Sequence, residues 1–311
     1  MKISSLIAII LVWATLTARA QEGAVKENAP TPASAPQLGS FKTDYLYSPF
    51  QINGRDLNVQ QVNANLLFPL YSKLQDGKLD FFLTGIGYTG LFLSGTDNGF
   101  GATNFHSFSV PLTFQKSLTT KYALIVSFIP TLSSDLKNIP GDDMIYTGAA
   151  VLKVKTSDKF SYSPGVVFSR QFFGTLLLPI IGIDWTINNK FSFSGSLPIT
   201  QKLKYRLSAK SIVGVNNDLG IGGGSYRLSK QMKSAYFQTQ QSKVSLFYNY
   251  TLAGNFSIEV NAGYNYVQKL DLYDKNQKVN LAPFNNLNNR VPLTEINKIG
   301  VAAGMSTNYR F

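Results

Sequence analysis

The sequence predicts an all-β protein: a closed antiparallel transmembrane β-barrel of about 14 strands, with 12 as the alternative count. Three observations predict it. Apolar and polar side chains alternate in twos along most of the chain, the period of a strand whose two faces meet different solvents. The composition suits partial immersion in lipid: 44% of residues are hydrophobic, 13% aromatic and only 15% charged, against roughly 25% charged in an ordinary soluble domain. The connections between alternating segments are short and long by turns, as in a barrel with tight turns at one rim and longer loops at the other.

The chain opens with "MKISSLIAIILVWATLTARA". Lys2, an apolar run from Leu6 to Trp13, and Ala18-Arg19-Ala20 make residues 1–20 a secretory signal peptide with cleavage near Ala20. The run is too short for the roughly 20 apolar residues of a spanning helix. Cleavage takes Lys2 and Arg19 with it, so the formal charge of +12 becomes +10. A basic balance can point to nucleic acid, but a secreted chain with no local run of Lys and Arg gives no reason to expect that partner. The absence of Cys excludes disulfides, thiol nucleophiles and Cys–metal sites. Residues 21–40, rich in Pro, Ala and Ser, read as a flexible periplasmic leader. Residues 41–311 carry one unbroken pattern and read as one domain.

In order, the strand candidates are 41–51, 58–70, 79–93, 105–117, 121–133, 144–156 and 160–170, each apolar on alternate positions. Next comes 176–187, "LLLPIIGIDWTI", joined by "NNK" to a strand in which Phe191, Phe193 and Leu197 oppose Ser192, Ser194 and Ser196. Segments 203–215 and 219–228 follow. Segment 243–252 sets Val244, Leu246, Tyr248 and Tyr250 against Lys243, Ser245 and Asn249. "AGN" turns it tightly into 256–268, where Ile258, Val260 and Tyr264 oppose Glu259, Asn261 and Asn265. Segment 298–311, "KIGVAAGMSTNYRF", puts Val301, Met305, Tyr309 and Phe311 on one face.

The turns 72–78, 118–120, 157–159, 188–190, 216–218 and 253–255 are short, and 94–104, 134–143, 229–241 and 269–297 read as longer loops. Segments 172–175 and 200–202 are short yet fall on the long-loop side. An even strand number puts both termini on the short-turn, periplasmic side. The last strand then pairs with the first, because in lipid an unsatisfied backbone group costs several kcal/mol.

The ending "MSTNYRF", with outward Tyr309 and Phe311, resembles the C-terminal assembly signal of Gram-negative outer-membrane β-barrels. "LPIIGIDWTINNKFSFSGSLPITQKLKYRL" is similar to the central segment of an uncharacterised outer-membrane barrel family, a domain of unknown function. The resemblance implies an outer-membrane location, contact with outer-membrane lipid and delivery to the barrel-assembly machinery through the final strand. It implies no established activity.

Candidate chemistry is sparse. His106, the only histidine, shares a face with Phe108, Val110, Leu112 and Phe114, whereas Ser107 and Ser109 point the other way, so no nucleophile–base pair assembles. "GIGGGSYRLSK" lacks the Gly-Lys-Ser/Thr ending of a phosphate loop and reads as a bend or close packing. "GDD" at 141–143 offers far fewer oxygens than the 6–8 that calcium takes. Nothing calls for a cofactor or a metal.

What remains is the inward face. Parity turns Lys153, Lys155, Lys204, Arg206, Lys210 and Lys243 inward, with Lys298 and Arg310. Asp184 and Glu259 are the inward acids. Lys or Arg on the lipid face at mid-depth costs about 2–4 kcal/mol, which forces the assignment. A basic lumen draws in anions. The expected function is therefore a passive or weakly anion-selective channel for small solutes or ions rather than an enzyme. The alternatives are a transporter of apolar molecules, a structural or adhesive barrel, and a lipid-modifying enzyme using His106.

Overall fold

First and last strands meet. In the computed structural model Ser40 pairs with Arg310 and Tyr47 with Ala303. Gly39 and Phe311 exchange backbone hydrogen bonds of 3.0 and 3.1 Å. The structure describes residues 38–52, 55–95, 99–139, 141–228 and 235–311. The expected signal peptide and most of the leader lie outside them.

Among the described residues eighteen strands form one sheet: β1 (Ser40–Ile52), β2 (Arg55–Gln75), β3 (Lys78–Gly95), β4 (Asn104–Ser109), β5 (Leu112–Ser117), β6 (Tyr122–Ser134), β7 (Met144–Lys155), β8 (Phe160–Gln171), β9 (Gly174–Thr186), β10 (Phe191–Leu197), β11 (Thr200–Arg206), β12 (Ser211–Leu219), β13 (Gly224–Arg227), β14 (Ala235–Ala253), β15 (Phe256–Asp274), β16 (Val279–Ala282), β17 (Thr294–Asn297) and β18 (Gly300–Arg310). They make a closed antiparallel barrel of 14 wall strands. β4 and β5 lie in line against β3 and β6 as one wall strand, interrupted at Val110-Pro111. Proline has no N–H for the ladder, which explains the break. β13, β16 and β17 stand outside the wall.

Alternation sets the two faces. On β14, Leu246 is 68% exposed and Phe247, one residue on, 5%. Outward apolar side chains cover the whole circumference, among them Ile86, Val126, Phe168, Ile181, Leu203 and Val301. Aromatic pairs mark the short-turn rim: Phe160 against Trp185, Phe191 against Tyr205, and Tyr309 stacked on Phe311 with centroids 6.0 Å apart. Such a belt needs a bilayer around it. Leu246→Arg is therefore expected to cost about 2–4 kcal/mol, whereas Asn249→Arg, on the inward face, leaves folding intact. Denaturant titration of barrels refolded into vesicles measures both.

Two expected strands are corrected. Segment 203–215 is not one strand; it contains the end of β11, a turn at 207–210 and the start of β12. The turn has four residues, an even number, so the outward parity of Leu203 and Tyr205 carries through to Val213 and Val215, and the alternation never breaks. Segment 219–228 is not a wall strand. Gly222 and Gly223 take φ of +77° and +61° there, a conformation glycine adopts without strain, and they turn the chain inward to β13. The two differences offset each other in the strand count.

The segments expected as loops at 229–241 and 269–297 also differ. Residues 235–241 belong to β14 and 269–274 to β15, and β16 and β17 follow. β12 pairs with β14 only as far as Ser242, and β18 pairs with β15 only as far as Asn265. Beyond a bulge at Ser242/Lys243 the two strands leave the wall still paired to each other. β13 adds to one edge and β17 to the other. The result is a four-stranded septum at the long-loop end.

Both faces of the septum's two central strands, β14 and β15, carry buried side chains. One carries Phe237, Leu270 and Leu272, clustered with Leu57, Val59, Leu91, Leu93 and Phe105 on the inner faces of β2, β3 and β4. The other carries Tyr236 and Tyr273, clustered with Phe173 and Leu176 at the head of β9 and with Ala282. These two stretches of wall lie well apart around the barrel, so the septum crosses the lumen.

Candidate functional site

The inward residues form two zones. Above, the septum fills the lumen with apolar side chains. Below it lies a polar vestibule, with cavities of about 550, 430 and 250 Å³ that share lining residues.

An ion pair stands at the centre of the vestibule. Lys202 on β11 donates to both Glu259 oxygens on β15 at 2.9 and 2.8 Å. Its ammonium also sits 4.0 Å from the centroid of the Phe247 ring. Gly214 makes this platform fit: a Cβ there would come within 2.7 Å of that ring. Around the pair, Lys42 bonds Asp44 at 2.9 Å. Lys243, buried, donates to Asn261 at 3.3 Å, and Asp218 accepts from Asn216.

Lys204 and Arg206 follow on the inward face of β11, and Arg310 stands at the foot of β18. None of the three is ion-paired among the described residues. They surround the mouth of the vestibule.

The other expected residues are more scattered. Lys153 lies on the inward face of β7, paired in register with Ala123, away from the ion pair. Lys155 is at the rim, bonded to Asp158 at 2.7 Å. Lys210 belongs to the 207–210 turn and not to a wall strand, and Lys298 precedes β18. Asp184 takes its place inward on β9 between Ser161 and Ser194. Tyr309 and Phe311 face outward.

Sequence reasoning missed Lys42, Asp44, Lys202 and Asp218. The first two sit in plain alternation with Phe41, Thr43 and Tyr45. Lys202 and Asp218 were hidden by taking 200–202 and 216–218 as turns.

Polar contacts pin the septum to the wall. Ser133 on β6 donates to the Ser225 carbonyl on β13 at 2.7 Å, and Ser225 donates to Gln171 on β8 at 2.8 Å. Arg227 on β13 lies 3.3 Å from both Asp142 and Asp143, so the "GDD" carboxylates face an arginine. Asp143 is fully buried. Burial pushes its carboxyl above the usual range, against the pull of Ser134 and Arg227. On the same face of the septum the Arg290 guanidinium bonds Tyr236 and Gln238 at 2.8 and 2.7 Å and lies 4.2 Å from the Tyr273 ring centroid. His106 faces outward and shares a hydrogen bond of 2.9 Å with Tyr88, while Ser107 bonds Ser133 on the inner face.

A lipid-facing belt, a closed wall and a polar lumen crossed by a septum define a transmembrane β-barrel of the outer-membrane type. The chain belongs to a family described as a domain of unknown function, DUF6268, whose model matches residues 39–301. No curated protein is detectably similar in sequence. Among solved structures the chain is similar to the COG4313 outer membrane channel from Pseudomonas putida F1, at 8% identity and a TM-score of 0.43, over 92% of this chain and 100% of that one. It is similar to the P. putida toluene transporter TodX at 11% identity and 0.37, over 89% and 91%. It is similar to the NanC porin at 6% identity and 0.35, over 88% and 100%. At such scores the likeness carries no inference about a solute.

Proposed function

We propose that the protein is a passive, weakly anion-favouring channel for small solutes in the outer membrane, entered from the periplasmic vestibule and gated by the septum. One observation supports the reading: Lys204, Arg206 and Arg310, without a carboxylate partner among the described residues, stand at the mouth of polar cavities of about 550 and 250 Å³. Cations held beside low-dielectric walls raise the local concentration of anions. Lys202 and Lys243 sit deeper, where Glu259 and Asp218 lie close to them, so selectivity concentrates at the mouth. In this reading the turns face the periplasm, the long loops face outward, and the barrel-assembly machinery receives β18, the strand that closes the wall.

Reversal potential in a planar bilayer under a salt gradient tests it. The wild type is expected to prefer anions, and the triple variant Lys204→Ala/Arg206→Ala/Arg310→Ala to lose that preference while still conducting. A conducting triple variant with an unchanged reversal potential overturns the proposal.

A further inference from the structure

A second charged cavity is lined by residues of both the wall and the septum. It has a volume of about 470 Å³, sits at the long-loop rim, and brings together Arg170, Arg227, Lys275, Lys278, Asp142 and Tyr146. The basic residues come from three separate parts of the chain: the end of β8, β13 of the septum, and the segment between β15 and β16. Asp142 and Asp143 both pair with Arg227, so the four cations and these two carboxylates leave a surplus of two positive charges. Arg170, Lys275 and Lys278 have no carboxylate partner among the described residues.

The height of the cleft on the barrel says what it meets. Arg170 lies on the outward face of β8, two residues beyond exposed Phe168, and pairs in register with Tyr146 on β7. Tyr146 also faces outward and stacks on Phe128, with centroids 6.2 Å apart. Just past the last outward apolar residues, then, three cations without a carboxylate partner converge beside an aromatic rim. That is the level of lipid headgroups, where interfacial tyrosines sit. Arginine binds phosphate oxygens in bidentate fashion, and lysine adds a mobile point charge. A cavity of this size holds a phosphorylated sugar or glycerol headgroup with room to spare.

We infer that this cleft binds the phosphate of a lipid headgroup in the leaflet at the long-loop end. The inference rests on the barrel spanning a bilayer and is independent of whether it conducts.

The test is native mass spectrometry of the folded full-length barrel in detergent. The probes are a diphosphorylated glucosamine-disaccharide lipid, its dephosphorylated form, and inorganic phosphate. The wild type is expected to retain the phosphorylated lipid at least tenfold more tightly than the dephosphorylated one. Arg170→Ala/Lys278→Ala is expected to remove that difference, with heat-modifiable gel migration confirming that the variant is folded. Equal retention of the two lipids by the wild type overturns the inference, as does an undiminished preference in a folded variant. Inorganic phosphate binding as tightly as the phosphorylated lipid overturns the lipid assignment and leaves a free-anion site.

Discussion

Arg227→Ala is expected to open the septum and raise the channel's open fraction on the order of 100-fold. The physical reason is the pair it breaks. Asp143 is fully buried and lies 3.3 Å from the Arg227 side chain. Removing one partner of a buried ion pair costs about 3–5 kcal/mol, because the other charge stays in low dielectric. The lower end applies here, since Asp142 remains in water. About 3 kcal/mol corresponds to roughly two powers of ten in an equilibrium. The open septum relieves the cost by letting water reach Asp143. The double variant Arg227→Ala/Asp143→Ala leaves no orphaned charge and is expected to open much less than Arg227→Ala alone. Equal conductance in wild type and both variants would remove the latch from the account.

The same latch gives a pH dependence with a definite sign. The Asp143 carboxyl is raised in the closed protein, with burial the largest cause. Exposed in the open state, it returns to the ordinary carboxylate range. Between those two values the closed state binds more protons, so protons stabilise it. Conductance is therefore expected to fall as pH drops from above the raised value toward the ordinary one, and Asp143→Asn to flatten the profile. Counting only the lost charge attraction would predict acid-induced opening, so the direction measured separates burial from pairing as the dominant effect.

Phe237→Ala is the second large effect. Phe237 is fully buried at the middle of the septum, stacked on Phe105 at 4.2 Å and edge-on to Phe100 at 5.1 Å. Truncating a buried Phe costs about 3–5 kcal/mol through lost transfer energy and the cavity left behind. The wall strands keep their own ladders and belt, so the loss is expected to fall on the septum. Hydrogen exchange should then show faster amides at 235–242 and 267–274 with wall strands such as β7 unchanged, together with higher conductance. If the wall amides lose protection in step, the septum is part of the barrel's cooperative unit and not a gate.

Where prediction and structure part company, the cause is visible in particular residues. Lys204, Arg206, Lys243 and Glu259 took their inward places because a two-residue period leaves one alternative and lipid forbids it. Lys202 was lost to a misplaced turn. Tyr236-Phe237 and Leu91-Phe92-Leu93 carry apolar side chains on both faces. That signal was present: a wall strand with an apolar inward face has protein, and not water, inside it. Without a partner to point to, it read only as strand or loop.

The sequence by itself determined the closed barrel and the inward side of charges such as Lys204, Arg206, Lys243 and Glu259, and its strand count agreed because two misread segments offset each other. The barrel and the inward side follow from local alternation, which a bilayer enforces one residue at a time. The tertiary structure alone decided that β14 and β15 leave the wall, that β13 and β17 join them, and that the sheet they form crosses the lumen. Those choices depend on residues far apart in the chain coming together, such as Leu57 and Leu270 in one apolar cluster and Arg227 with Asp143 in an ion pair. Periodicity says that a face is apolar; only the folded chain supplies what covers it.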